Sequence, residues 1–206
     1  MYNIIELKHV KICLKLAFIW GYIMSYHTYC KKVHKVNLFL TFFLITLILT
    51  PLIYLRGFLA SKTYIMFGLV VAALAILNFF IPISDKVKGL LFALLPATAI
   101  SSLFIIDNFA LNKHYILFFT TIMIALYFNK QLIMIFGAFI NIYIFALYFL
   151  RPTNFLGAEH NIPLFLTVYS VICGTLAALY FLSDAGNKLI LNATSKNRRH
   201  KSLFNN

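Results

Sequence analysis

Long runs of apolar residues, separated by short polar stretches, dominate the chain. A helix that crosses a bilayer needs about 20 apolar residues, because the hydrocarbon is about 30 Å thick and each residue rises about 1.5 Å. Five runs fit that length, at 36–55, 63–83, 89–106, 132–150 and 162–183. The pattern therefore predicts an all-α fold, a polytopic bundle of transmembrane helices.

Two further runs bring the predicted number of spans to six or seven. The stretch 115–128 is short for a perpendicular helix, but flanking lysines can snorkel and the bilayer can thin, so we count it as a sixth span. The stretch 12–29 contains Lys15 and His27 and has a polar second half. It either spans the membrane or lies at its surface.

The same pattern divides the chain into three parts. Residues 1–35 form a basic N-terminal segment that includes the uncertain stretch 12–29, residues 36–183 form the transmembrane helical bundle, and residues 184–206 form a basic tail. The last apolar run does not stop at a turn, because apolar residues continue at a spacing of three or four beyond Leu182. The tail is therefore predicted to continue the last span as a helix in the cytoplasm.

The charge distribution predicts the orientation of the bundle. The chain has 18 Lys and Arg against 5 Asp and Glu, a net charge of +13. With a cytoplasmic C-terminus and six alternating spans, 14 basic residues lie inside and 4 outside, as the positive-inside rule requires. The basic residues punctuate apolar runs instead of forming polar segments, so the predicted partner is the lipid bilayer of the plasma membrane and not nucleic acid.

The residues that catalysis would need are sparse. The five acidic residues lie at or beyond the ends of the predicted spans, which leaves no carboxylate at membrane depth for proton coupling. The six histidines do not form the two-His helical spacing of metalloproteases, and the three cysteines include no Cys-x-x-Cys pair. We therefore predict no enzymatic activity, no catalytic residues, no metal and no cofactor.

A few polar or small residues fall inside the predicted spans. Asn141 lies at the centre of 132–150, with Gly137 one turn before it on the same face. A central asparagine in lipid needs a partner for its amide, so it should face another helix or a cavity. Together with Asn78, Ser101 and Thr120, these residues are the candidate ligand-binding or helix-packing positions.

Tyrosines occur near the predicted edges of the spans. Their amphipathic rings favour the membrane interface, where the hydroxyl group is wet and the ring is not. The expected interfacial belts contain Tyr54, Tyr64, Tyr115, Tyr127 and Tyr148.

Three segments resemble a known family. The exit segment Leu182–Ser195, the short turn Leu126–Lys130 and the pair Phe136–Gly137 resemble the membrane region of multi-span bacterial methyl-accepting chemotaxis proteins. In such receptors the last span continues into the cytoplasmic signalling hairpin, but neither that hairpin nor methylation helices are present in this sequence. The resemblance implies either a truncated receptor or a membrane module that acts through a homodimer or a signalling partner.

Two functions follow as hypotheses. The first is an integral membrane sensory module, the transmembrane part of a chemotaxis-type signal transducer. The alternative is a small transporter or channel subunit for a neutral solute, whose pathway would be lined by Asn141, Ser101 and Thr120 beside a helix kink at Pro96.

Overall fold

The computed structural model describes the backbone of residues 2–204 and the side chains of residues 26–190. This part of the chain is helical and contains no strand. The helices are α1 Tyr2–Ala60, α2 Lys62–Phe80, α3 Asp85–Ile106, α4 Leu111–Ala125, α5 Lys130–Leu150, α6 Pro152–Leu156 and α7 Ile162–Phe204.

Local sequence explains where several helices begin and end. The side chain of Asn129 caps α5 by accepting hydrogen bonds from the backbone N–H groups of Gln131 and Leu132. Pro152 begins α6, where its missing N–H costs nothing. Gly57 has a φ of 78°, which interrupts the helical conformation near the end of α1.

The predicted all-α membrane bundle is confirmed. Five helical segments are long and apolar enough to cross a membrane: Tyr26–Ala60, Lys62–Phe80, Asp85–Ile106, Lys130–Leu150 and Ile162–Ile190. The finer count of six or seven spans stays a prediction. The sixth candidate, 115–128, corresponds to α4, whose 15 residues cover about 22 Å. The seventh, 12–29, lies almost entirely outside the residues whose side chains are described.

Helix α3 is at the centre of the bundle and packs against α1, α2, α4, α5 and α6. Its buried face carries Phe92, Ala93, Ala97 and Phe104, all with no exposed surface. Large apolar side chains cover the outside of the bundle, including Leu59 and Phe149. A surface this apolar is unfavourable in water and fits a hydrocarbon environment.

The N-terminal and C-terminal ends of α3 mark the two ends of the bundle. The Asp85 end also contains the α2–α3 and α4–α5 connections, and the Asp107 end contains the start of α4 and helix α6. The predicted boundaries at 35/36 and 183/184 fall inside continuous helices, α1 and α7.

Candidate functional site

The structure places Asn141 in a helix–helix contact. Its Nδ2 donates a hydrogen bond to the carbonyl of Gly137 at 2.7 Å, and the Sγ of Cys173 lies 3.7 Å from its Oδ1. A Cβ at Gly137 would lie 3.3 Å from the Cδ1 of Leu176, so this glycine allows α7 to approach α5. Asn141 and Gly137 therefore act together at the α5–α7 contact.

The other predicted polar positions are spread over three helices. Ser101 donates to the carbonyl of Ala97 and Thr120 to that of Leu117, each within its own helix. Asn78 instead links two helices, because its Nδ2 donates to the carbonyl of Lys88 at 3.0 Å. Apart from the Asn141–Gly137 pair, the structure does not gather the predicted residues into one site.

A cluster of titratable side chains forms at the Asp85 end of the bundle. The two carboxylate oxygens of Asp85 contact two histidines of α1: Oδ2 lies 2.5 Å from Nδ1 of His27, and Oδ1 lies 3.2 Å from Nε2 of His34. The other ring nitrogen of His34 lies 2.8 Å from the hydroxyl of Tyr127. We call His27, His34, Asp85 and Tyr127 the Asp85 cluster.

The Asp85 cluster runs from the surface into the core. The side chain of His27 is 48% exposed, that of Asp85 20% and that of His34 4%, and Tyr127 is completely buried. The ring of His34 also stacks on Phe92 of α3 at a centroid distance of 5.9 Å. The cluster is thus a continuous hydrogen-bonded path that links α1, α3 and the end of α4.

The burial of Tyr127 and Tyr64 corrects part of the predicted interfacial belts. Tyr127 has no exposed surface and Tyr64 only 8%, whereas Tyr54 and Tyr115 are exposed as expected. A buried tyrosine needs a partner for its hydroxyl group. His34 supplies that partner for Tyr127, and Arg56 lies 3.4 Å from the hydroxyl of Tyr64.

The α4–α5 turn comprises residues 126–130, of which Lys130 is also the first residue of α5. Besides the contact of Tyr127 with His34, the turn is bonded to α1 at two further points. The hydroxyl of Tyr29 donates to the carbonyl of Leu126 at 2.6 Å, and Nδ2 of Asn129 donates to the hydroxyl of Tyr26 at 3.2 Å. The turn is tight, and Phe128 adopts a left-handed φ of 46°. Its geometry is therefore fixed by α1 on one side.

On its other side, the α4–α5 turn contacts α7. Nζ of Lys130 lies 2.8 Å from Asp184, which also pairs with Lys188 one turn later at 3.0 Å. The ring of Phe128 packs so closely on Gly186 that a Cβ there would overlap it. We call the contacts of Lys130 and Phe128 with α7 the turn–α7 junction.

An open depression of about 500 Å³, bordered by polar and charged residues, lies between the Asp85 cluster and the turn–α7 junction. It is bordered by residues from α1, α3, α5 and α7 and from the turn itself. The bordering residues are Tyr26, His27, Asp85, Lys86, Asn129, Lys130, Gln131, Asp184 and Asn187.

A second charged group lies at the Asp107 end. Nζ of Lys113 is buried and donates to the carbonyls of Leu103 and Asn108, which caps the C-terminus of α3. Burial lowers the pKa of Lys113, and Asp107 at 3.4 Å partly offsets this. Burial alone would raise the pKa of Asp107, but the Tyr64 hydrogen bond and the charge of Lys113 outweigh it and lower that pKa.

From the sequence alone, Asp85 and Asp107 are recognisable only as residues at the ends of predicted spans. One signal for the Asp85 cluster was present, because His27 and His34 are seven residues apart and so share a face of α1. Among residues 26–190, no group of three or more His, Cys, Asp or Glu side chains is arranged to hold a metal ion. Compared with known protein families, curated proteins and solved structures, the chain has no match.

Proposed function

We propose that this chain is a membrane sensory module, in which rearrangement of the Asp85 cluster passes through the α4–α5 turn to α7. The observation that carries the proposal is that one five-residue turn is bonded to α1 on one side and to α7 on the other. Tyr29 and His34 hold it from α1, and Asp184 holds it from α7. A shift of either partner must therefore move or break the turn.

The length of α7 supports the same proposal. Its 43 residues correspond to about 64 Å, roughly twice the thickness of the bilayer hydrocarbon. The turn–α7 junction lies 22 residues after the start of α7, about 33 Å along the helix. Movement at Asp184 is thus applied where α7 leaves the membrane, on the side that the basic residues predict to be cytoplasmic.

The chemistry of the Asp85 cluster favours a sensory role over a neutral-solute pathway. Histidine is the side chain whose charge changes near neutral pH, and here one carboxylate is shared by two histidines. By contrast, Asn141, Ser101 and Thr120 each donate to a carbonyl of their own helix. Transport of a neutral solute stays the alternative hypothesis, with liposome flux as its assay.

An output fusion tests the sensory proposal. A histidine-kinase output domain is joined after Ser195, with residues 1–195 left unchanged. Several fusions are made with linkers that differ by one residue, so that the output domain is rotated relative to α7 by a different angle, or helical phase, in each. Autophosphorylation is measured in membrane vesicles. Asp85→Asn, which weakens both histidine contacts, should change kinase output at least threefold in one phase or more. Adding Lys130→Gln should reduce that change, because the ion pair between the turn and Asp184 is then lost and only the contact of Phe128 with α7 remains.

The matched control for Lys130→Gln is Lys62→Gln, an exposed lysine at the start of α2 and the opposite end of the bundle. It should leave the effect of Asp85→Asn intact. If Asp85→Asn has no effect in any phase, or if Lys130→Gln reduces its effect no more than Lys62→Gln does, transmission through the turn is wrong.

A further inference from the structure

A cavity at the Asp107 end is separate from the Asp85 cluster. Its mouth, of about 160 Å³, contains the side chains of Arg56, Tyr64, Asp107 and Lys113. An apolar slot between α1, α2 and α3 continues from it toward the middle of the bundle. The mouth and the slot are adjacent, and we refer to them together as the groove. Both are lined by Ile48, Tyr64, Ile100, Leu103 and Ile116.

The slot is somewhat shorter than the depth of one membrane leaflet. On α1 the slot extends from Leu49 to Thr41, about 12 Å along the helix, compared with about 15 Å for half of the hydrocarbon thickness. Gly68 of α2 lines the slot where α1 and α2 approach closely, since a Cβ there would lie 3.1 Å from Cγ2 of Ile45. About 40 Å³ of the slot is unfilled, and its lining is almost entirely apolar.

The mouth of the groove carries a net positive charge. Lys113 and Arg56 face a single carboxylate, that of Asp107, at 3.4 and 3.8 Å. Lys113 is buried and its donors are used by backbone carbonyls, whereas the side chain of Arg56 is 52% exposed. A guanidinium group has five N–H donors, so Arg56 can bind a further carboxylate while it also contacts the hydroxyl of Tyr64.

The groove opens toward the hydrocarbon. Pro51 and Leu55 line its mouth, and Leu55 is 78% exposed on the apolar outside of the bundle. An apolar chain can therefore enter the mouth from the side of the apolar surface. We infer that the groove binds a single-chain fatty acid, with the carboxylate at Arg56 and the first part of the acyl chain along the open slot beside Gly68, while the rest of the chain lies in the surrounding hydrocarbon. This site goes beyond the proposed function and does not depend on it.

Photo-cross-linking of a fatty acid tests the site. The full chain is reconstituted in phosphatidylcholine vesicles with a palmitic acid that carries a diazirine on its chain, and labelled peptides are identified by mass spectrometry. Labelling should be saturable, should fall on the residues that line the slot, and should decrease when unlabelled palmitate is added. The methyl ester of the same probe, which lacks the charge, should label at least tenfold less.

Variants separate the head-group site from the slot. Arg56→Gln should reduce labelling at least fivefold, whereas Arg151→Gln, an exposed arginine at the same end, should not. Ala99→Phe fills the slot and should abolish labelling, while Ala73→Phe adds the same ring on an exposed face of α2 and should not. Gly68→Ala narrows the slot with less disturbance and should reduce labelling if Ala99→Phe fails to fold.

Three results would overturn the inference. The first is equal labelling by the acid and its methyl ester, and the second is labelling spread over the lipid-facing surface. The third is displacement of the probe by phosphatidylglycerol but not by palmitate, which would identify the groove as a phospholipid contact.

Discussion

A single methyl group at Gly186 tests how tightly the α4–α5 turn is held against α7. Gly186 is buried, and a Cβ there would overlap the ring of Phe128. Phe128 cannot yield easily, because it lies in a tight turn with a left-handed backbone. Overpacking of this kind costs about 1–3 kcal/mol. Replacing a helical glycine by alanine stabilises by about 0.5–1 kcal/mol, so we expect Gly186→Ala to destabilise by roughly 0–2.5 kcal/mol.

Gly174→Ala is the matched control in the same helix. Gly174 is exposed, and a Cβ there would have no atom within 4 Å. Alanine loses less conformational entropy than glycine when the helix forms, and no new contact opposes this gain. The variant should therefore be more stable than the parent by about 0.5–1 kcal/mol. The two variants should thus differ by about 1–3 kcal/mol, which is the cost of the Phe128 contact.

The assay is reversible unfolding of the full chain in mixed micelles, followed by far-ultraviolet circular dichroism. Adding Phe128→Leu to Gly186→Ala should recover most of the lost stability, since the two residues are in contact and their effects should not add. If Gly186→Ala is as stabilising as Gly174→Ala, the ring does not pack on α7. The turn–α7 junction would then reduce to one exposed ion pair, which contributes little.

Three further predictions use the same unfolding assay, and a fourth uses the kinase fusion and the diazirine labelling. Lys113→Met leaves backbone carbonyls at the end of α3 without a donor, and the free energy of unfolding should fall by about 1–3 kcal/mol. The pKa of Asp107 is lower in the folded chain than the ordinary carboxyl pKa of about 3.9, so ionised Asp107 stabilises the fold above that pH. This stabilisation is lost as the pH falls through the pKa of Asp107 in the folded chain. Asp107→Asn should therefore lose less stability than the parent between pH 6 and pH 3. Asn141→Leu should change the free energy of unfolding by less than about 1 kcal/mol, because the amide bonds mainly within α5, and a larger loss would show that it does more. Pro96→Ala should abolish any effect of added palmitate on the kinase fusion while leaving diazirine labelling in place, and a persisting effect would exclude bending of α3 as the link.

The helices could be predicted from the sequence because each depends on residues that are close together in the chain. Run lengths locate the long helices, and Asn129 and Pro152 mark where α5 and α6 begin. The Asp85 cluster could not be predicted in this way, since Asp85 is 58 residues from His27 and 51 from His34. In a bundle whose helices are apolar on most faces, hydrophobic periodicity does not specify which helices become neighbours.

The burial of individual tyrosines could not be predicted from the sequence either. Tyr115 and Tyr127 lie near the two ends of one short segment, yet Tyr115 is 63% exposed and Tyr127 fully buried. An aromatic ring with a hydroxyl group is stable at the interface, but it is equally stable in the core if the hydroxyl group is bonded. The difference arises from His34, whose position on α1 relative to the α4–α5 turn is a property of the tertiary structure.

Pro96 connects the two sites described above. It lines the apolar slot, so an acyl chain in the groove would lie against it. Proline has no N–H to donate to the carbonyl one turn earlier, that of Phe92, which leaves α3 easier to bend at this point. Phe92 in turn stacks on His34 of the Asp85 cluster. If the groove is filled, bending of α3 at Pro96 is therefore the motion that would reach His34, the α4–α5 turn and finally α7.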